Sequence, residues 1–200
     1  APMGLERLRI TGGEPLARRD VPELVKLLAA VPGIRDLSLS TNAVLLAEQA
    51  DALKAAGISR LNVSLDSLQE DRVDRIARRP GSYPKIMEGL AAAEEAGFSP
   101  IKINVVLIRG ENDDEIQDFA EITREHPWHV RFIEMMPTGA NLDLSSQQFV
   151  SCAEVLGRVR EIDALEPVPG PFGNGPAEYY QFPGSPGTIG VITPMSHNYC

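Results

Sequence analysis

The apolar positions of this chain follow two spacings that alternate along its length. Short runs of β-type residues predict strands, and apolar residues three and four apart predict helices between them. The predicted strands are 8–11, 37–40, 61–65, 101–107 and 130–134, and helices are predicted around 21–31, 46–56, 69–78, 86–96, 113–120 and 151–159. Strand and helix therefore alternate five times, which is typical of an α/β fold with a parallel sheet.

Helix starts and a change of composition complete the predicted elements. Asp20 with Glu23 and Ser151 with Glu154 have the spacing of a capping box, and Asp113 can cap the helix through Ile116. From residue 167 to 187 the chain is rich in proline and glycine, with possible strands at 178–182 and 188–193. We predict a domain boundary or wrapping connection in this region.

Composition and charge narrow the class of protein. The chain has 200 residues, of which 43% are hydrophobic and 24% charged, so it can form one substantial core. A net charge of -9 argues against a nucleic-acid partner or an anionic membrane surface. There is no apolar run near 18 residues and no signal-peptide pattern, so we predict a cytoplasmic protein without a membrane partner.

Polar residues follow the predicted strands, at the ends where parallel α/β proteins place their chemistry. They are Arg9, Gly12-Gly13-Glu14, Ser40-Thr41-Asn42, Ser64, Asp66, Lys102, Asn104 and Glu134 to Met136. Taken singly, each is equally well explained by a structural role: a serine or asparagine can cap neighbouring backbone, and Glu134 can pair with an arginine.

The Gly12-Gly13 pair gives the most specific of these signals. Glycine lacks a Cβ, so a ligand can lie directly on the backbone and meet its N–H and C=O groups, while Pro15 limits the freedom of the loop. The alternative is a tight turn between a strand and a helix.

For the other unusual residues, we predict that Cys152 packs in a helix and that Trp128 lies in the core or over a helix end.

Five motifs stand in the order found in one known family. They are Arg-Ile-Thr-Gly-Gly-Glu-Pro at 9–15, Ser-Thr-Asn at 40–42, Asn-Val-Ser-Leu-Asp-Ser-Leu at 62–68, Lys-Ile-Asn-Val-Val at 102–106 and Arg-Phe-Ile-Glu-Met-Met-Pro-Thr-Gly at 131–139. The sequence resembles the molybdenum cofactor biosynthesis protein A family, which are GTP 3',8-cyclases (lyases) of the radical S-adenosylmethionine (SAM) superfamily. The segment 187–200 is similar to the family's approach to a second iron-sulfur cluster.

The resemblance implies a fold and a set of ligands. It implies an incomplete TIM-type (β/α) barrel at 1–165, truncated at both ends, and a connection to a C-terminal iron-sulfur region at 166–200. SAM would be held by Gly12, Gly13, Glu14, Ser64, Asn104 and Met136, and GTP by Arg9, Ser40 and Lys102. Cys200 would be the first ligand of a C-terminal 4Fe-4S cluster. No side chain would be catalytic, because the cofactors carry the radical chemistry.

The family's reaction begins with cleavage of SAM by an electron from an N-terminal 4Fe-4S cluster. The resulting radical takes a hydrogen from the ribose of GTP, and the ribose then closes onto guanine C8. The N-terminal cysteine motif and two cysteines of the other cluster have no counterpart between residues 1 and 200. We therefore expect this chain to hold neither cluster and to be inactive by itself. Ala43 also stands where the family usually has glycine.

Other interpretations of the sequence stay open. A radical SAM enzyme that modifies a peptide would share the glycine loop but would not need Arg9 and Lys102 for a triphosphate. A barrel fragment could also bind a nucleotide or a partner protein without catalysis. Because an incomplete barrel leaves a strand edge free, we expect a homodimer.

Overall fold

A computed structural model describes residues 4–136, 146–170 and 175–196. The strands are β1 (Arg7–Ile10), β2 (Asp36–Thr41), β3 (Arg60–Ser64), β4 (Ile101–Leu107), β5 (Trp128–Glu134), β6 (Glu166–Val168), β7 (Glu178–Gln181) and β8 (Thr188–Ile192). The α-helices are α1 (Val21–Ala29), α2 (Ala50–Ala56), α3 (Glu70–Ala77), α4 (Ser82–Glu95), α5 (Ile116–Glu125) and α6 (Cys152–Arg160). The predicted alternation of strand and helix is confirmed.

The chain forms two compact units. The first comprises residues 1–65 and 69–102, and the second comprises 66–68 and 103–200. In the first unit β1, β2 and β3 are parallel neighbours. The strand order in the second unit is β4-β5-β8-β7-β6, in which β5 and β8 are parallel while β7 is antiparallel to β8 and to β6. The predicted boundary at 165/166 stays a prediction.

The two faces of β1, β2 and β3 differ in polarity. Because parallel partners in register share a face, Ile10, Leu39 and Leu61 form one apolar row. Leu39 and Leu61 are fully buried. On the opposite face Arg9 pairs with Ser38 and Ser40 pairs with Asn62, and Ser64 lies two residues beyond Asn62. The alternation of the sequence thus separates a core face from a polar face.

The core of the second unit is aromatic. Phe119 on α5 meets Phe132 on β5 edge to face, with ring centroids 6.3 Å apart. Trp128 at the start of β5 is 2% exposed, which confirms its predicted place in the core. The sequence did not predict β6, because it is three residues long and contains Pro167. Proline is tolerated there because β6 is an edge strand among the described residues.

The predicted helix caps are only partly confirmed. Ser151 caps α6, where its hydroxyl accepts a hydrogen bond from the Glu154 N–H at 3.2 Å. Asp20 makes no capping bond to α1, because its carboxylate binds the Arg18 guanidinium at 2.6 Å. Asp113 instead accepts from the Gly110 N–H at 2.6 Å, and α5 begins after it. Both aspartate caps were wrong because nearby donors compete for the carboxylates.

None of the helices in the described ranges has the length and apolar character needed to span a bilayer.

We predict that Gly89→Ala destabilises the first unit. Gly89 lies inside α4, and a Cβ there would come 2.6 Å from the Ala43 carbonyl oxygen and 3.1 Å from the Leu46 Cβ. Overpacking of this kind costs about 1–3 kcal/mol. The matched control is Gly157→Ala in α6, where a Cβ would meet nothing within 4 Å, and which should stabilise by about 0.5–1 kcal/mol. Urea unfolding measures both, and an unchanged or raised stability in Gly89→Ala would contradict the packing.

Candidate functional site

The loop after β1 presents its backbone to open space. Gly12 has a φ of +155°, a conformation that side-chain-bearing residues rarely adopt. A Cβ placed on Gly12 or Gly13 would meet no atom within 4 Å. The loop does turn into a short 3-10 helix at Pro15–Ala17, as the alternative interpretation required. One side of the two glycines is nevertheless open, so a ligand can reach their N–H and C=O groups.

Glu14 joins this loop to the loop after β2. Its Oε1 accepts hydrogen bonds from the Leu16 N–H at 3.0 Å and from the Thr41 hydroxyl at 2.7 Å. Its Oε2 accepts from the Asn42 N–H at 2.7 Å. The carboxylate therefore fixes the spacing of two loops at the carboxyl edge of the sheet. The predicted contact of Glu14 with SAM stays a prediction.

The loop after β2 has its own internal bonds. The Thr41 hydroxyl accepts from the Ala43 N–H at 3.0 Å, and Asn42 Oδ1 accepts from the Val44 N–H at 3.1 Å. Ala43 is fully buried and has a φ of +61°. This left-handed conformation favours glycine, which explains why glycine suits the position in the family that the sequence resembles.

Three of the predicted site residues share the polar face of the first unit. Arg9 pairs in register with Ser38, and Ser40 pairs with Asn62, so successive polar positions run from β1 towards Ser64 at the end of β3. Arg9 and Ser64 are exposed and Ser40 is partly exposed. Lys102, near the start of β4, is 7% exposed. The structure thus groups Arg9, Ser40 and Ser64 on a face that a polar ligand can reach.

In the second unit, Asn104 is held by an arginine that the sequence analysis did not include among the site residues. Asn104 Oδ1 accepts from Arg131 Nε at 2.8 Å and from Arg131 Nη2 at 2.5 Å. Arg131 is 7% exposed, so this is a buried, charge-assisted contact. It leaves the Asn104 amide NH2 to meet a further acceptor. The sequence signal for this contact was Arg131 itself, a charged residue inside the run of residues that forms β5.

The loop at 66–68 is fixed by buried polar groups. Asp66 Oδ1 accepts from the Val106 N–H at 2.8 Å, and Asn112 Nδ2 donates to the Asp66 carbonyl at 2.7 Å. Burial raises the pKa of Asp66, and the bond from Val106 offsets only part of that rise. The buried Glu115 carboxylate accepts from the Ser67 hydroxyl at 2.7 Å. The strand-end position of Asp66 was visible in the sequence, but these partners were not.

Glu134 ends β5 and is 1% exposed. Its carboxylate accepts from the backbone N–H groups of Cys152 at 3.0 Å, Met195 at 3.1 Å and Ser196 at 2.9 Å, and from the Ser196 hydroxyl at 2.5 Å. Burial alone would raise the pKa of Glu134, but these hydrogen bonds outweigh it and hold the pKa below its ordinary value. These four donors are three backbone N–H groups and one hydroxyl, whereas the sequence had suggested an arginine as a structural partner. Met136, two residues further on, is 48% exposed.

The chain has two cysteines, Cys152 and Cys200. Cys200, the predicted cluster ligand, lies outside the described residues. Cys152 is buried, as predicted, and burial together with the nearby Glu134 charge raises its pKa to about 12. Its thiol is therefore unsuited to bind metal as a thiolate. Over the described parts of the chain, no three His, Cys, Asp or Glu side chains are grouped to hold a metal ion.

We predict that Glu14→Gln destabilises the first unit by about 1–3 kcal/mol. The carboxylate accepts three hydrogen bonds, whereas an amide must turn its NH2 group towards at least one of the same donors. Glu88→Gln is the control, because Glu88 is exposed on α4; it should change the stability by less than about 0.5 kcal/mol. Equal unfolding midpoints for the two variants would mean that the Glu14 bonds contribute nothing.

A second prediction concerns the stability that Glu134 contributes at acidic pH. A carboxyl group whose folded pKa is lowered stabilises the fold above its unfolded pKa, and this contribution is lost as the pH falls through the folded pKa. For Glu134 that window lies below the ordinary value of 4.5. Glu134→Gln should cost about 1–3 kcal/mol at neutral pH, and the difference from the unmodified chain should shrink towards pH 3. Unfolding measured across that range checks this, and a difference independent of pH would refute it.

Two family models match this chain. The Radical SAM superfamily model matches residues 1–122, and the model described as Molybdenum Cofactor Synthesis C matches residues 128–200. Among the relatives, the GTP 3',8-cyclase of Moorella thermoacetica is 47% identical and that of Listeria monocytogenes is 46% identical, each over 98% of this chain. The chain spans about 60% of the length of these relatives.

Solved structures share the fold. A domain of pyruvate-formate lyase-activating enzyme from Bacteroides vulgatus has a TM-score of 0.60 at 19% identity, over 79% of this chain and 92% of that one. A radical SAM methyltransferase from Sphaerobacter thermophilus has a TM-score of 0.59 at 23% identity, over 79% of this chain and 48% of that one. The expected α/β fold with a mostly parallel sheet is confirmed. With more than half of its residues matched by the superfamily model, the chain belongs to the radical SAM superfamily.

Proposed function

We propose that this chain is the central part of a GTP 3',8-cyclase. In the proposed reaction, GTP is converted to (8S)-3',8-cyclo-7,8-dihydroguanosine 5'-triphosphate, an early step in the formation of the molybdenum cofactor. The observation that carries the proposal is the polar face of the first unit, where Arg9, Ser40 and Ser64 lie on the same side of neighbouring strands, at the edge that also carries the open glycine loop. The relatives named GTP 3',8-cyclase support it.

The open glycine backbone fits the methionine end of SAM. An amino-acid group needs both donors and acceptors, and the Gly12 and Gly13 N–H and C=O groups offer both without a side chain in the way. In the second unit, Asn104 offers its NH2 group and Met136 an exposed apolar surface. When bound, SAM supplies the radical that begins the reaction. In this proposal the protein's own residues bind and orient the two ligands.

Cys152, the cysteine within the described ranges, does not suit an iron-sulfur cluster. Such clusters need several thiolates, and Cys152 is a buried thiol with a raised pKa. Cys200 stays the proposed first ligand of the C-terminal 4Fe-4S cluster.

Because the chain is negatively charged overall, GTP binding needs basic residues at the site itself. A net charge of -9 gives no general attraction for a triphosphate, so single basic groups must provide it. Arg9 is exposed on the polar face, and Lys102 is a nearly buried cation whose charge is less screened by water. We assign both to GTP together with the Ser40 hydroxyl.

Association into a homodimer is also part of the proposal. Among the described strands, β1 pairs with β2 alone. Leu5, just before β1, is 45% exposed, and a second copy could cover this edge.

We expect Arg9→Ala or Lys102→Ala to weaken GTP binding by the complete protein about tenfold to a hundredfold. Each variant removes a charge-assisted hydrogen bond to phosphate, and SAM binding should change little. Calorimetric titration of both ligands measures the effect. Arg35→Ala is the control, because the Arg35 side chain is 78% exposed and lies near Glu6 instead of on the polar face.

Three results would reject the assignment. Equal losses for SAM and GTP would mean that the two cations support the fold, and no loss for either ligand would mean that they do not contact GTP. An equally large loss of GTP binding in Arg35→Ala would mean that the effect is not specific to Arg9 and Lys102. Failure of the unmodified complete protein to bind GTP would reject the proposed function itself.

A further inference from the structure

We propose that the Met195 side chain forms, together with Met136, an apolar platform for the adenine ring of SAM, and that Glu134 positions Met195. The inference rests on the proposed function, because SAM is the ligand proposed there. It adds a binding residue from the segment after β8, outside the five ordered motifs.

The register of β5 and β8 puts the two methionines the same number of residues beyond one strand pair. These strands are parallel, and Ile133 pairs with Ile192. Met136 and Met195 each lie three residues beyond that pair. Neighbouring strands lie about 4.8 Å apart, so the two chains leave the sheet side by side at its carboxyl edge. Parallel α/β proteins bind their ligands at this edge.

Exposure separates these methionines from the core. Among the described residues of the second unit, Met136 and Met195 are the large apolar side chains that are exposed, at 48% and 47%. A methionine is unbranched and polarisable, so it adapts well to the face of an aromatic ring. Two apolar side chains left in water at one edge are a cost to the folded chain that a bound ring would remove.

The backbone of Met195 is held while its side chain is exposed. Glu134 accepts from the Met195 and Ser196 N–H groups and from the Ser196 hydroxyl, and the same carboxylate accepts from the first N–H of α6. Because the carboxylate is buried, water competes little for these bonds. A side chain on a fixed backbone binds with less loss of entropy than one on a free turn. Glu134 is therefore a positioning residue that acts through Met195.

The size of the platform indicates a small planar ligand instead of a protein. A stable protein interface buries about 800 Å² on each partner and uses some 20–30 residues. Two methionine side chains provide far less than that, but they can cover one face of a purine. The resemblance assigns Met136 to SAM, whose adenine is a purine, so the platform extends a contact already proposed just beyond β5.

The first experiment titrates SAM into the complete protein by calorimetry. Met195→Ala should weaken SAM binding about fourfold to fifteenfold, as expected for the loss of one or two buried methylene groups, with GTP binding within twofold of the unmodified protein. Met195→Leu, which keeps an apolar side chain, should bind SAM within about threefold. The control is Met87→Ala, a half-buried methionine on α4, which should leave SAM binding unchanged.

The second experiment tests whether Glu134 acts through Met195. Glu134→Gln should weaken SAM binding, since an amide cannot accept all four hydrogen bonds. In the Met195→Ala background the same substitution should cause no further loss, because there is no longer a side chain to position. A purely structural role for Glu134 would give additive losses instead, and additive losses would overturn the positioning role.

The outcomes separate this inference from the proposed function. If the unmodified protein does not bind SAM, the proposed function fails. If it binds SAM and both Met195→Ala and Met195→Leu bind equally well, only the platform is wrong. If Met195→Ala weakens GTP binding more than SAM binding, adenine is not the occupant.

Discussion

The loops of both units depend on carboxylates that accept hydrogen bonds from backbone N–H groups. Glu14 does this for the loops after β1 and β2, Glu115 for the loop at 66–68, and Glu134 for the turn at 195–196. A loop that leaves a strand has N–H groups without a partner, and one carboxylate can satisfy several of them. An arginine partner would neutralise such a carboxylate but could not define the loop backbone. The ion pairs of Arg18 and Arg124 instead lie on exposed or half-exposed side chains.

These carboxylates also explain how an open loop can keep one conformation. Gly12 and Gly13 have no side chains to pack, and the flexibility of glycine would otherwise be costly in entropy. Glu14 lies directly after them and is fixed by Thr41 and Asn42, while Pro15 restricts the backbone beyond it. The loop can therefore be open to a ligand on one side and ordered on the other.

The sequence predicted the elements better than it predicted the contacts. Periodic apolar residues are a local signal, so the alternation of strands and helices was predicted from them, as was the capping of α6 by Ser151. The caps by Asp20 and Asp113 were wrong because Arg18 and the Gly110 N–H compete for the same oxygens. The Arg131–Asn104 contact joins residues 27 positions apart, and no local pattern indicates such a pair. The motif order indicated the superfamily, but only the register showed which polar residues share a face.

Several features that cost stability lie in the segments that follow the strands. Ala43 has a left-handed backbone, Asp66 is a carboxyl group whose burial raises its pKa, and Met136 and Met195 are exposed apolar side chains. By contrast, the β5 interior at Val130 and Phe132 is completely buried. Selection for stability alone would remove such features, and a binding site is the usual reason that they persist. Arg9 and Lys102 suit an anionic ligand, whereas the exposed methionines suit a ring, so the two ligands of the proposed function need different chemistry from the same fold.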